Sequence, residues 1–157
     1  MKKILLIILA IIVFGWQDAN AQSEQMSVST GNPDIKVKIL RCEASGENVF
    51  IDMTITNNTG EDFEVYAVAK GNGPCNTKII DDEGNEYDSN RVKIRFGKGE
   101  FVSEHIWKDI IADVPCRYTI MVTNVPKQTQ YFSVVRPFMD SKIPFKITIK
   151  NLPITRY

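Results

Sequence analysis

The residues with the clearest capacity for acid–base chemistry lie together in one short segment. Glu104, His105 and Asp109 fall within six positions, and carboxylates and histidine are the usual proton donors and acceptors of hydrolases. A glycoside hydrolase requires two carboxyl groups that converge in a cleft at about 5 to 10 Å. The sequence has no Gly-x-Ser-x-Gly turn and no second histidine, so it identifies no catalytic residues. We expect a protein that is not an enzyme; the alternative is a carbohydrate-processing hydrolase that uses Glu104 and Asp109.

Three cysteines, Cys42, Cys75 and Cys116, can form one disulfide and leave one thiol over. They contain no Cys-x-x-Cys pair and lie far from the single histidine, so their spacing does not predict a metal site. In an exported protein a pair of cysteines is expected to be oxidised. Three pairings are open. Sandwich topology favours Cys75 with Cys116: the strand at 63–69 is expected beside the strand that starts near Arg117, so the loops of these two cysteines lie at the same end. Cys42 is expected on the opposite sheet.

Two charged segments could bind ions or charged ligands. Residues 81–88 carry five carboxylates, as calcium loops do, but Gly84 and Asn85 are also what a tight hairpin requires, and the spacing of an EF-hand is missing. We expect a turn there, and no metal or cofactor. Arg91, Lys93 and Arg95 lie on one face of a predicted strand. Such a row suits an anionic ligand, or it protects the edge of a sheet.

Trp107 is the remaining residue with a possible binding role. It follows His105 by two positions, and we expect it in the core; the alternative is an aromatic platform for a sugar ring. His105 itself is expected to be structural, because no nucleophile or orienting partner is identifiable beside it.

The segments that position these residues alternate between apolar and polar side chains, which is the period of a β-strand. Met53, for example, shares its predicted core face with Ile51 and Ile55. Only residues 104–114 could hold a helical turn. Turn residues separate eight or nine short strands, so we predict an all-β fold, an immunoglobulin-like antiparallel β-sandwich. The predicted strands are 35–39, 49–56, 63–69, 78–81 with 86–87, 91–96, 101–107, 117–123, 131–135 and 143–150.

The first 21 residues have the three parts of a secretory signal. Lys2 and Lys3 precede an apolar run at residues 4–14, and Ala19-Asn20-Ala21 has the small-x-small pattern of a cleavage site. The apolar run is too short to span a hydrocarbon core, and no second such run follows, so we expect no membrane span after cleavage. Residues 22–33 then form a flexible leader, and residues 34–157 form the domain.

The order of strands and turns resembles the telokin-like, immunoglobulin-related β-sandwich modules of small exported proteins of Bacteroidetes. The residues that carry the resemblance are 49–62 (VFIDMTITNNTGED), 82–87 (DEGNEY), 112–115 (ADVP) and 124–126 (NVP). The resemblance covers about residues 34–154. It implies the fold and export, and no functional residue can be carried over from it.

The charge balance restricts the partners. The chain has 19 basic and 19 acidic residues, so it has no net field to hold a phosphate backbone, and we expect no nucleic acid partner. Together these features predict an exported, soluble, periplasmic or extracellular β-sandwich that binds or supports an envelope protein or a glycan.

Overall fold

The structure is a computed structural model that describes residues 25–157. The predicted signal at residues 1–21 lies outside these residues, as does the start of the predicted leader. Within them the fold is all-β and antiparallel, which confirms the predicted fold class; its immunoglobulin-related type stays a prediction. The described residues contain no helix that is long and apolar enough to cross a membrane.

The strands are β1 Ser27–Ser29, β2 Ile35–Ser45, β3 Asn48–Asn57, β4 Phe63–Val68, β5 Lys78–Asp81, β6 Glu86–Tyr87, β7 Val92–Phe96, β8 His105–Ile110, β9 Cys116–Val122, β10 Tyr131–Arg136, β11 Phe138–Ser141 and β12 Thr148–Pro153.

The strands form three sheets. A four-stranded sheet has the order β2-β3-β9-β7, a five-stranded sheet the order β1-β12-β10-β5-β6, and a three-stranded sheet the order β11-β4-β8. The chain passes from the five-stranded to the three-stranded sheet at Pro137, between β10 and β11. Proline cannot donate to a ladder, so pairing ends there and resumes with a different neighbour.

One hydrophobic core joins side chains from all three sheets. Ile51 and Ile120 of the four-stranded sheet, Phe132 of the five-stranded sheet and Val65 of the three-stranded sheet belong to the same buried cluster. Met53 is fully buried in it, which confirms the predicted face of β3. This sandwich-like packing arises because alternate residues of each strand point to the same side.

Two boundaries differ from the prediction. Ser27–Ser29 pairs with β12 instead of belonging to a flexible leader, so the domain includes residues before Asp34. Residues 104–114 contain the strand β8 and no helical turn; β8 runs to Ile110 because it pairs along its whole length with β4. The predicted strand at 101–107 is correspondingly shifted towards the C-terminus.

The three cysteines are free, and the predicted bridge between Cys75 and Cys116 is not formed. The prediction assumed that β4 lies beside β9. Instead β4 lies between β11 and β8, with Val68 opposite His105. The loop that holds Cys75 therefore meets the start of β8, whereas Cys116 follows its end. Cys42 belongs to the same sheet as Cys116, not to the opposite one, with β3 between their strands.

Candidate ligand-binding surface

The outer face of the three-stranded sheet carries the side chains that are best placed to bind a ligand. The central strand β4 buries Phe63, Val65 and Ala67 against the core. Alternation then directs Glu64 and Tyr66 to the opposite side of the sheet. The outer face is therefore defined by the residues of β4, β8 and β11 that share the side of Tyr66.

Aromatic side chains from two strands meet on this face. Tyr66 lies directly opposite Trp107 in the pairing of β4 with β8, and their ring centroids are 4.5 Å apart at an interplanar angle of 41°. The ring of His105, two residues earlier on β8, lies 5.1 Å from that of Tyr66. Trp107 is 57% exposed, so it is not a core residue. The structure thus places Trp107 in the arrangement that an aromatic platform requires.

A shallow depression of about 530 Å³ lies against this pair, with Tyr66 and Trp107 among its walls. Glu64 and Asp140 also line it, and Asp140 is opposite Tyr66 in the pairing of β11 with β4. Within residues 25–157, the carboxylates of Glu64 and Asp140 have no hydrogen-bond or ion-pair partner. These two carboxylates can therefore accept hydrogen bonds from a ligand without giving up a bond inside the protein.

A second depression, of about 450 Å³, lies on the other side of Tyr66, where His105 and Glu104 meet the loop of residues 70–76. Gly71 shapes the rim of this loop, because a Cβ atom there would overlap the carbonyl oxygen of Cys75. The amide of Gly71 also donates to Oδ1 of Asn76 at 2.6 Å, which closes the loop. Tyr66 lines both depressions, so together they form one extended surface.

The two carboxylates of the hydrolase alternative are not brought together. Glu104 precedes β8 and lines the second depression, whereas Asp109 lies near the other end of β8. Five residues of extended chain correspond to about 16 Å. This separation exceeds the spacing that glycoside hydrolysis requires. Instead, Asp109 lies directly opposite Glu64. This pair is two positions along the strands from the pair of Tyr66 and Trp107 and shares its outer face. Sequence reasoning missed this pair because it depends on the register of β4 and β8.

The predicted row of Arg91, Lys93 and Arg95 lies at an edge strand, as the interpretation that these charges protect a sheet edge requires. β7 is the last strand of the four-stranded sheet, and beyond it only Val102 pairs with Ile94 among the described residues. Arg91 precedes β7 and is used structurally: its guanidinium carbon lies 4.4 Å from the ring centroid of Tyr87, and its Nε donates to the carbonyl of Thr123. Lys93 and Arg95 stay on the outer face of the sheet. The anionic-ligand stripe of Arg91, Lys93 and Arg95 stays a prediction.

The acidic hairpin is organised around its own backbone. Gly84 has a φ of 83°, the left-handed conformation that the turn requires. Burial favours the neutral form of Asp81, but hydrogen bonds from Asn85, Tyr87 and the amide of Glu83 hold its pKa below the ordinary value. No group of three or more potential metal ligands occurs in the described part of the chain.

Comparison with known proteins identifies no family for this chain. No protein-family model matches the chain, and no curated protein matches it in sequence. Among solved structures it is similar to a family 123 glycoside hydrolase from Clostridium perfringens, whose structural analysis concerns the hydrolysis of glycolipid glycans. The identity is 11% and the TM-score 0.41, over 83% of this chain and 26% of that one. The chain thus spans about a quarter of that hydrolase, and these values transfer no activity to it.

Proposed function

We propose that the protein is an exported, non-enzymatic module that binds glycans through the outer face of the sheet β11-β4-β8. The observation that carries this proposal is the exposed pair of Tyr66 and Trp107, flanked by carboxylates without internal partners. Export is supported by the signal-like residues 1–21.

The chemistry of a pyranose ring matches both parts of this surface. Its faces expose C–H groups, which pack on an aromatic ring, and its rim carries hydroxyl groups, which donate to carboxylates. Glu64, Asp109 and Asp140 all lie on the outer face, so a glycan with its own negative charges would be repelled. A neutral glycan, or one that contains amino sugars, is the expected ligand.

Binding to immobilised neutral and amino-sugar oligosaccharides tests the proposal. Trp107→Ala should weaken binding by about tenfold or more, because a stacked ring of this size is worth roughly 1.4 kcal/mol. Tyr131→Ala is the matched control, since Tyr131 is an exposed aromatic residue on β10 of the five-stranded sheet. Binding that is equally affected by both variants, or by neither, would exclude the Tyr66–Trp107 surface as the site.

The hydrolase alternative has one observation in its favour. Like charges directly opposite each other on neighbouring strands are destabilising, so the Glu64–Asp109 pair beside the aromatic residues suggests a functional role. Both side chains are exposed and lie on an open surface rather than in a cleft, which favours binding over catalysis. Release of new reducing ends from a bound oligosaccharide, abolished by Glu64→Gln or Asp109→Asn, would establish the hydrolase instead.

A further inference from the structure

A second surface, on the four-stranded sheet, carries a concentration of positive charge. The register of the four-stranded sheet places six basic and two acidic side chains on its outer face, in a chain whose formal net charge is zero. We call this surface the basic face. Its residues are Lys36, Lys38, Arg41 and Glu43 on β2, Asp52 on β3, Arg117 on β9, and Lys93 and Arg95 on β7.

The centre of the basic face is an arginine pair fixed by a buried carboxylate. Asp52 is fully buried, and its Oδ2 accepts from Nε of Arg41 and from Nη2 of Arg117, the latter at 2.6 Å. Its Oδ1 accepts from the hydroxyl of Thr119. Asp52 thus holds two guanidinium groups next to each other, while 40% of the Arg41 side chain and 47% of the Arg117 side chain stay exposed. Nη1 of Arg41 also donates to Oε2 of Glu43 at 3.0 Å. The remaining donors of Arg41 and those of Arg117 are pre-oriented for an anion.

The remaining cations lie on the two outer strands of the sheet. β2 carries Lys36, Lys38 and Arg41. β7 carries Lys93 and Arg95 and lies three strand spacings away, or about 14 Å. Neither Lys38 nor Lys93 has a hydrogen-bond or ion-pair partner among the described residues. Arg95 packs over Phe101, 4.3 Å from its ring centroid, so its side chain is held against the surface.

We infer that the basic face binds an acidic polysaccharide, one with carboxylate or sulfate groups along a linear chain. Outside the adjacent pair of Arg41 and Arg117, the cations are about 6.6 Å apart along a strand and about 14 Å apart across the sheet, too widely spaced for one small anion to contact several of them. A polymer with repeated negative charges matches that spacing and the excess of positive charge. The planar, fixed guanidinium groups of Arg41 and Arg117 match the geometry of carboxylate and sulfate oxygens.

This ligand differs from that of the Tyr66–Trp107 surface, whose carboxylates would repel an acidic glycan. The two sites lie on the outer faces of different sheets and share no residue. Asp109 and Arg117 line one depression where the sheets meet, but Trp107, Lys38 and Lys93 do not line it. Loss of binding at one site is therefore distinguishable from loss of binding at the other.

The experiment measures binding of the full chain to polygalacturonate and to heparin by calorimetry. The variant Lys38→Glu with Lys93→Glu reverses one charge on each outer strand. The variant Lys127→Glu with Lys150→Glu makes the same change in net charge at exposed positions away from the basic face. The melting temperature of each variant checks that it is folded.

We expect saturable binding to at least one of the two polymers, weakened about tenfold or more by the first variant and less than about twofold by the second. Trp107→Ala should leave it unchanged. Equal loss in both double variants would show a response to net charge alone and overturn the inference. Equally tight binding to polyglutamate, or to phosphatidylglycerol vesicles, would also overturn it, because a polysaccharide would then not be the specific partner.

Discussion

Asp52 should contribute measurably to stability, and its contribution should depend on pH. The carboxylate is fully buried and accepts three hydrogen bonds, two of them from arginines. Removing one partner of a fully buried ion pair costs about 3 to 5 kcal/mol. Because both arginines are partly exposed and can be hydrated when the carboxylate is lost, we expect Asp52→Asn to cost less, about 2 kcal/mol at pH 7.

The sign of the pH dependence follows from the pKa of Asp52. Burial alone would raise this pKa, but the hydrogen bonds from Thr119, Arg117 and Arg41 lower it below the ordinary value of 3.8. The folded state therefore binds the proton more weakly than the unfolded state does. The stabilisation is complete above about pH 4 to 5 and is lost as the pH falls through the folded-state pKa.

Urea unfolding of the wild type and of Asp52→Asn, between pH 7 and pH 2, measures this effect. The difference in free energy of unfolding should be largest at neutral pH and should shrink in acid. Asp34→Asn is the matched control, because Asp34 is exposed and its carboxylate has no partner in the described part of the chain. A difference that is constant with pH, or as large in the control, would refute the reasoning.

Three further predictions concern the core, the loop beside Tyr66 and the acidic hairpin. Met53→Asp places a charge among fully buried side chains, so it should prevent folding or lower the melting temperature, measured by circular dichroism, by more than roughly 10 °C. An unchanged melting curve would mean that the face of β3 is assigned wrongly. Gly71→Ala should destabilise the loop at 70–76 because of its overlap with Cys75, seen as faster amide exchange there than in Asn72→Ala, which changes an exposed neighbour without a positive φ; equal exchange in the two variants would contradict this. Millimolar calcium should leave the melting temperature almost unchanged, whereas a saturable rise that Asp82→Asn with Glu83→Gln abolishes would reveal a metal site in the hairpin.

The sequence predicts individual strands better than it predicts their neighbours. β3 and β7 are recognisable because one face of each is buried and apolar, which imposes a period of two. The partners of β4 are not recognisable, because β4 and β8 are separated by β5, β6 and β7 in the chain. The pairing of Cys75 with Cys116 fails for this reason, since it required β4 beside β9.

The candidate site shows the same limit. The sequence predicts Trp107 in the core, but Trp107 is exposed, and its partner Tyr66 is more than 40 residues away and is set by register alone. A one-residue shift in that register would put Glu64 and Tyr66 out of line with Asp109 and Trp107. Residue types therefore indicated Trp107 as one possible sugar-binding side chain, whereas Tyr66, Glu64 and Asp140 emerge only from the structure.

The most direct test of the proposed function is the NMR response of the Trp107 indole to a glycan. The chain has two tryptophans, so the Nε1–H signal of Trp107 is identified as the one that disappears in Trp107→Phe. Titration of the full chain with a neutral or amino-sugar oligosaccharide that it retains should shift this signal, together with the amides of Tyr66 and His105, in a saturable manner. Saturable binding that shifts signals elsewhere and leaves these three unchanged would contradict a glycan site on this face.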